Sequence, residues 1–431
     1  MRLRQVRLQD FRCFEDLTLE LHPEFNLLVG ANGAGKTSVL AGIAVALGEW
    51  ANTLGRGIYT IHDDDVRRLE VTRGGIATRE PAASTSVTAR ADIQSHDITW
   101  STRTTTTGRE VDKADLRSVA KTLTAKLHGA DPVELPVIAY FGTARLFQTG
   151  ARELILGTSV LDGYAQCLEP TANHELLKSW MSWRESVRLQ DISRAIETGA
   201  ATESVHEPLL EAVSSAIQNC IEGTRRFYYS MHHQDLRLEL VDGRTIPFDL
   251  LSDGYRNLVS LVADIAWRAA RLNPHHGTGA AKNSTGVVLI DELDLHLHPA
   301  WQRRVIGDLR RTFPNIQFIA TTHSPQVVST AKPEWIRVLT ADQQVGTALH
   351  TYGRDSNSLL NEVFGTSERP IETERKIEEV EALLSQRKLD DARATLRILE
   401  RDLGPDDAIV HGLLWELNDI QVNDAKDPQE S

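Results

Sequence analysis

The polar and apolar positions of this chain fall into short blocks whose period changes repeatedly. At the start, apolar side chains at Leu3, Val6, Leu8, Phe11, Phe14, Leu17 and Leu19 alternate with polar ones. That spacing predicts two strands around a turn near residues 11–16. The apolar run Phe25-Asn26-Leu27-Leu28-Val29 then reads as a buried strand, and residues 38–47 as a helix. Residues 50–75 are mixed, with a polar centre at His62-Asp63-Asp64-Asp65. The Ser/Thr-rich stretch 82–108 alternates over 86–93 and 97–102, which predicts antiparallel strands, with a disordered linker as the alternative. A helix is expected over 113–128, a buried strand over 135–141, and helical three- and four-residue spacing over 173–223. A hairpin with a type I′ turn is expected at Asp242-Gly243. A strong helix follows over 258–272. The β-branched runs 286–290 and 316–320 fit central parallel strands. Charged helices over 371–400 and about 407–417 close the pattern, and the last dozen residues look frayed. These alternations describe an α/β chain.

Composition narrows this only slightly. The 431 residues leave room for two or three domains, and 41% apolar content excludes wholesale disorder. Cys13, Cys167 and Cys220 are widely spaced and form neither a disulfide framework nor a zinc motif, as fits a reducing cytoplasm. The opening Met1-Arg2-Leu3-Arg4 lacks the apolar core of a signal peptide, and no apolar run approaches the roughly 20 residues that span a bilayer. A soluble cytoplasmic protein without a membrane partner is expected. The net charge is −13; residues 371–431 hold 16 Asp/Glu against 8 Lys/Arg, so the rest of the chain carries only −5. The balance argues against blanket nucleic-acid coating but leaves room for a local basic groove, so DNA stays a candidate partner.

Candidate chemistry begins at Gly30-Ala31-Asn32-Gly33-Ala34-Gly35-Lys36-Thr37, which matches G-x-x-x-x-G-K-[ST] between a predicted strand and a predicted helix. The glycines let successive backbone N–H groups face a phosphate, and the helix N-terminus adds its positive end. Gly30, Asn32, Gly33, Gly35, Lys36 and Thr37 are therefore expected to cradle a nucleotide, with Lys36 on the β/γ-phosphates and Thr37 on Mg²⁺. Downstream, the apolar strand 286–290 ends in Asp291 and Glu292. Asp291 fits a Mg²⁺ ligand. Glu292, expected to point the other way by strand alternation, fits the group that activates the attacking water.

Leu251-Ser252-Asp253-Gly254-Tyr255-Arg256-Asn257, ahead of an apolar helix, resembles the LSGGQ signature of ABC-type ATPases, with Asp253 and Tyr255 departing from the transporter form. The resemblance implies that Ser252 and Gly254 contact the γ-phosphate of ATP held by a second subunit. Leu293-Asp294-Leu295-His296-Leu297-His298-Pro299 stands where that family has its D-loop, and Thr321-Thr322-His323-Ser324 where it has its switch histidine. His323 is then implied to bond the γ-phosphate. His296 and His298 could also form a metal pair, but D-loop structure is the preferred reading because no third ligand is apparent. The coupling glutamine of the family is missing: the strand 137–141 leads into Gly142-Thr143-Ala144-Arg145, and Gln148 is a weak substitute.

The order of motifs resembles the RecF/SMC-like soluble ABC ATPases, and Leu8-Gln9-Asp10-Phe11-Arg12-Cys13-Phe14 is similar to their first-strand motif. Leu251–Asn257 and the run from Ile290 to Pro299 are most similar to bacterial anti-phage ATPases of the Septu type. The expected fold is an ABC-type P-loop ATPase head, a mixed sheet with flanking helices. The expected parts are an ATPase lobe over 1–150, a helical insertion over 151–230, a second ATPase lobe over 231–350, and an acidic helical extension over 351–431. The resemblance implies an ATP-hydrolysing, Mg²⁺-dependent homodimer or higher oligomer that acts as sensor and scaffold beside a separate HNH nuclease. A RecF-like repair ATPase, an overcoming-lysogenization-type ATPase without its nuclease domain, and a non-catalytic nucleotide switch are the alternatives. No intrinsic nuclease site is expected, since Asp390-Asp391 lacks the DxD pattern and a strand context.

Overall fold

A computed structural model describes every residue except 58, 74–75, 130–131, 146–158, 171–173, 203–204, 341, 343, 348–349 and 427–431. The chain divides into two compact units, Met1–Leu359 and Leu360–Ser431.

At the centre of the first unit is a six-stranded sheet. Its order is Val345–Gly346, Ile336–Leu339, Phe25–Gly30, Ile316–Thr321, Gly286–Ile290 and Val137–Phe141. All neighbours are parallel except the Val345–Gly346 edge. The strands Phe25–Gly30, Gly286–Ile290 and Ile316–Thr321 are buried along their whole length, which is why they read as apolar runs without alternation. Gly286 is required by this crowding: a Cβ there would stand 2.0 Å from Val137 O. Gly286→Ala is expected to destabilise the unit by on the order of 1–3 kcal/mol, the usual range for overpacking. A melting temperature unchanged from wild type would refute that.

A second, antiparallel sheet runs Phe14–Glu20, Arg2–Phe11, Ser84–Ile93, His96–Thr105 and Gly108–Asp112. The Ser/Thr-rich segment is thus sheet, as its alternation predicts, and not linker. It braces the helix Lys36–Thr53. Trp100 Nε1 donates to Ala46 O at 2.9 Å, and the buried Glu49 carboxylate is held by Lys113 at 2.7 Å and Thr102 at 3.0 Å.

Residues expected to be helical form the helices Ala114–His128, His174–Thr198 and Pro208–Cys220. The hairpin Asp235–Leu240 and Thr245–Pro247 forms, but not through a type I′ turn. Gly243 has φ +87 while Asp242 is not in the left-handed region, and Gly243 N donates to Leu240 O at 3.0 Å. That is a β-turn closed by a left-handed glycine, the three-residue-loop solution for a hairpin.

In the second unit the helices Ile371–Ser385, Leu389–Leu403 and Ala408–Lys426 bury Val380, Leu384, Leu396, Leu399 and Leu417 against one another. The last helix continues to Lys426, where the sequence suggests fraying. Among the described residues no helix is long and apolar enough to cross a membrane.

Candidate nucleotide site

Four parallel strands deliver their C-terminal ends to one edge of the central sheet, where open α/β sheets bind ligands. Phe25–Gly30 leads into the glycine loop, Gly286–Ile290 into Asp291 and Glu292, Ile316–Thr321 into His323, and Val137–Phe141 into Arg145.

The loop is shaped by its glycines. Gly30 (φ +146) and Gly35 (φ +92) adopt backbone angles that side chains resist, and a Cβ on Gly30 would lie 2.3 Å from Leu339 O. Gly35 is the N-cap of Lys36–Thr53, so the first free N–H groups of that helix face the loop. Asn32 and Gly33 lie exposed at the loop tip. Lys36 is buried and its Nζ donates to Gly30 O at 2.8 Å and Ala31 O at 3.0 Å. Burial lowers its pKa from the ordinary lysine value, while Asp291 and Glu292 act the other way. Thr37 Oγ1 donates to Asp291 Oδ2 at 2.9 Å, and Thr321 Oγ1 donates to Asp291 Oδ1 at 2.6 Å. A hydroxyl and an oriented carboxylate therefore converge, the hard oxygen donors that Mg²⁺ takes.

Glu292 departs from the sequence expectation. The strand ends at Ile290, and Glu292 has φ +50, so a left-handed turn and not strand alternation sets its direction. Asp294 Oδ1 accepts from Thr322 Oγ1 and from His323 N, which ties the turn after Glu292 to the segment that follows Thr321. His298 Nδ1 accepts from Ala300 N at 3.3 Å, so this histidine caps the short helix after the D-loop.

Ser252 is the N-cap of the helix Asp253–Leu272; it is exposed and its hydroxyl accepts no capping bond. Gly254 passes so close to the D-loop that a Cβ would lie 2.7 Å from His296 O. Tyr255, where the signature departs from its transporter form, packs edge-on against Trp301 at 4.4 Å. The structure thus gathers Lys36, Thr37, Asp291 and Glu292 on one site. Among the described residues no hydrogen bond joins Ser252 or the His323 ring to that cluster.

Three contributors escaped the sequence reading. Arg145 is 2% exposed and bonds to the backbone of Asp291 and Glu292. Asn257 meets it from the signature helix. Arg12, pairing with Asp65 at 2.9 Å, lines a cavity of about 490 Å³ beside Thr37, Tyr140 and Asp291. The available signal for Arg145 was its place after the strand that should carry a glutamine. Gln148 lies outside the described residues.

Two family models match, one described as "AAA domain" over residues 5–216 and one as "AAA domain, putative AbiEii toxin, Type IV TA system" over 209–329. The glycine loop falls within the first of these stretches and the paired carboxylates within the second. The first unit thus resembles a P-loop ATPase head, a class that implies nucleotide binding. The chain is 27% identical to the Retron Ec83 probable ATPase of Escherichia coli, over 97% of this chain and 86% of that one. It is 38% identical to the Retron Vc95 probable ATPase of Vibrio cholerae serotype O1 biovar El Tor, over 32% of this chain and 27% of that one. Over 17% of this chain and 10% of the other it is 42% identical to the Septu protein PtuA of Bacillus mycoides (strain KBAB4). The chain thus has relatives named for retrons and for Septu.

Proposed function

We propose that this chain hydrolyses ATP at a composite site shared by two copies, and that the cycle governs a separate nuclease, HNH in type, in an anti-phage defence complex. The observation that carries the reading is the pairing of a built phosphate and metal corner with an exposed, uncapped Ser252 at a helix N-terminus. Such a terminus can take an anion, which a second copy's nucleotide would supply here. The retron and Septu relatives support the place in defence. Thr37 and Asp291 would hold Mg²⁺, which supplies charge neutralisation at the phosphate oxygens when bound. Lys36 and the loop N–H groups orient the phosphates, and Glu292 accepts a proton from the attacking water. His323 follows the strand Ile316–Thr321 at the same edge of the sheet and would bond the γ-phosphate.

Mixing two inactive variants tests the shared site. Lys36→Ala removes one half and Ser252→Arg the other, so each variant alone is expected to be inactive. Their mixture is expected to recover about a quarter of wild-type turnover, since half the pairs are mixed and each mixed pair holds one intact site. A mixture as inactive as its components would sink the composite reading.

A further inference from the structure

Glu292 holds a left-handed backbone, φ +50, which costs a non-glycine residue on the order of 1–3 kcal/mol unless its surroundings enforce it. Both of its backbone polar groups are clamped. Its N–H donates to Thr321 Oγ1 at 2.7 Å, and its C=O accepts from Arg145 Nη2 at 2.8 Å. The same guanidinium donates through Nη1 to Asp291 O at 2.6 Å and Gly142 O at 2.9 Å, and through Nε to Asn257 Oδ1 at 2.6 Å. Asn257 sits on the signature helix, and its Nδ2 donates to Leu295 O in the D-loop at 2.6 Å. Arg145 therefore joins three segments, its own loop, the turn at residues 291–292 and the signature helix, at one buried point.

Among the described residues its hydrogen-bond partners are all neutral oxygens. Burial pushes the guanidinium pKa down to about 10, opposed by the charges of Asp291, Glu292 and Asp294. A buried cation without a bonded carboxylate is a costly way to pin a turn. What it adds is a rigid planar fork, able to pass a displacement at Nε to the carbonyls held by Nη1 and Nη2.

We propose that Arg145 is the positioning residue that relays engagement of the signature helix to Glu292, in the place where the family's coupling glutamine is expected. When a second copy's nucleotide seats on the Ser252 end of the helix, Asn257 Oδ1 moves with the helix and Arg145 follows. The Glu292 carbonyl is drawn with it, and the left-handed turn re-aims the carboxylate. This rests on the composite-site reading above.

Arg145→Lys and Asn257→Ala test the relay independently. Each is expected to keep the wild-type nucleotide Kd within about threefold, while kcat falls on the order of 100-fold, as for a catalytic group misplaced by about 1 Å. Amide hydrogen exchange supplies a readout that does not require turnover. ATP is expected to slow exchange across residues 291–295 in the wild type but not in either variant. A wild-type chain without turnover would refute the hydrolytic reading alone, because the exchange comparison still decides the relay. The relay is overturned if Arg145→Lys retains kcat and the ATP-dependent protection. It is equally overturned if both variants lose nucleotide binding and melting temperature together, since Arg145 would then be a packing residue.

Discussion

Glu292→Gln is expected to bind ATP as tightly as the wild type and to hydrolyse it 10²–10⁴-fold more slowly, about the span a general base contributes. The amide keeps the shape of the side chain and loses only the ability to take a proton. Little else should change, because among the described residues the hydrogen bonds that fix this residue come from its backbone, through Thr321 and Arg145, and not from its carboxylate. Phosphate release, measured beside equilibrium binding of a fluorescent ATP analogue, separates the two effects. The composite site adds a second expectation: with hydrolysis blocked, ATP should hold two copies together, visible as a dimer in size-exclusion chromatography with light scattering. Unchanged turnover would remove Glu292 from its role.

Lys36→Ala is expected to weaken ATP binding by about 10- to 150-fold, the equivalent of losing a hydrogen bond to a charged group worth ~1.5–3 kcal/mol. The structure shows where the ammonium waits: on Gly30 O and Ala31 O, inside its own loop. Burial there lowers its pKa from the ordinary lysine value. A bound phosphate favours the charged form and raises the pKa again. Affinity should therefore be full below the lowered value and fall as pH rises through it. In Lys36→Ala that alkaline fall should disappear. Isothermal titration calorimetry across a pH series measures both, and an affinity equal to wild type at neutral pH would exclude Lys36 from phosphate contact.

The motifs of the site were legible because each is a local solution to a local problem. A loop that turns N–H groups inward needs glycine at Gly30 and Gly35, whatever the rest of the chain does. Central parallel strands need unbroken apolar runs, so Gly286–Ile290 and Ile316–Thr321 announce themselves. The turn at Gly243 was misread for a similarly local reason. Asp-Gly suits more than one hairpin turn, and the choice lies in the backbone angle of Asp242, which the dipeptide leaves open.

The contacts that organise the carboxylates were not legible. Arg145 and Glu292 are 147 positions apart, and Thr321 lies 29 positions beyond Glu292. No periodicity or spacing rule links residues across such distances. A single arginine after Gly142-Thr143-Ala144 looks like any loop arginine until the sheet brings the ends of Val137–Phe141 and Gly286–Ile290 side by side. The sequence by itself determined the glycine loop, the strands that feed it and the candidate reacting groups, because these depend on neighbours along the chain. The tertiary structure alone decided the left-handed turn at Glu292 and the guanidinium that holds it. Backbone strain at one residue is sustained only by hydrogen bonds from residues the chain brings back from elsewhere.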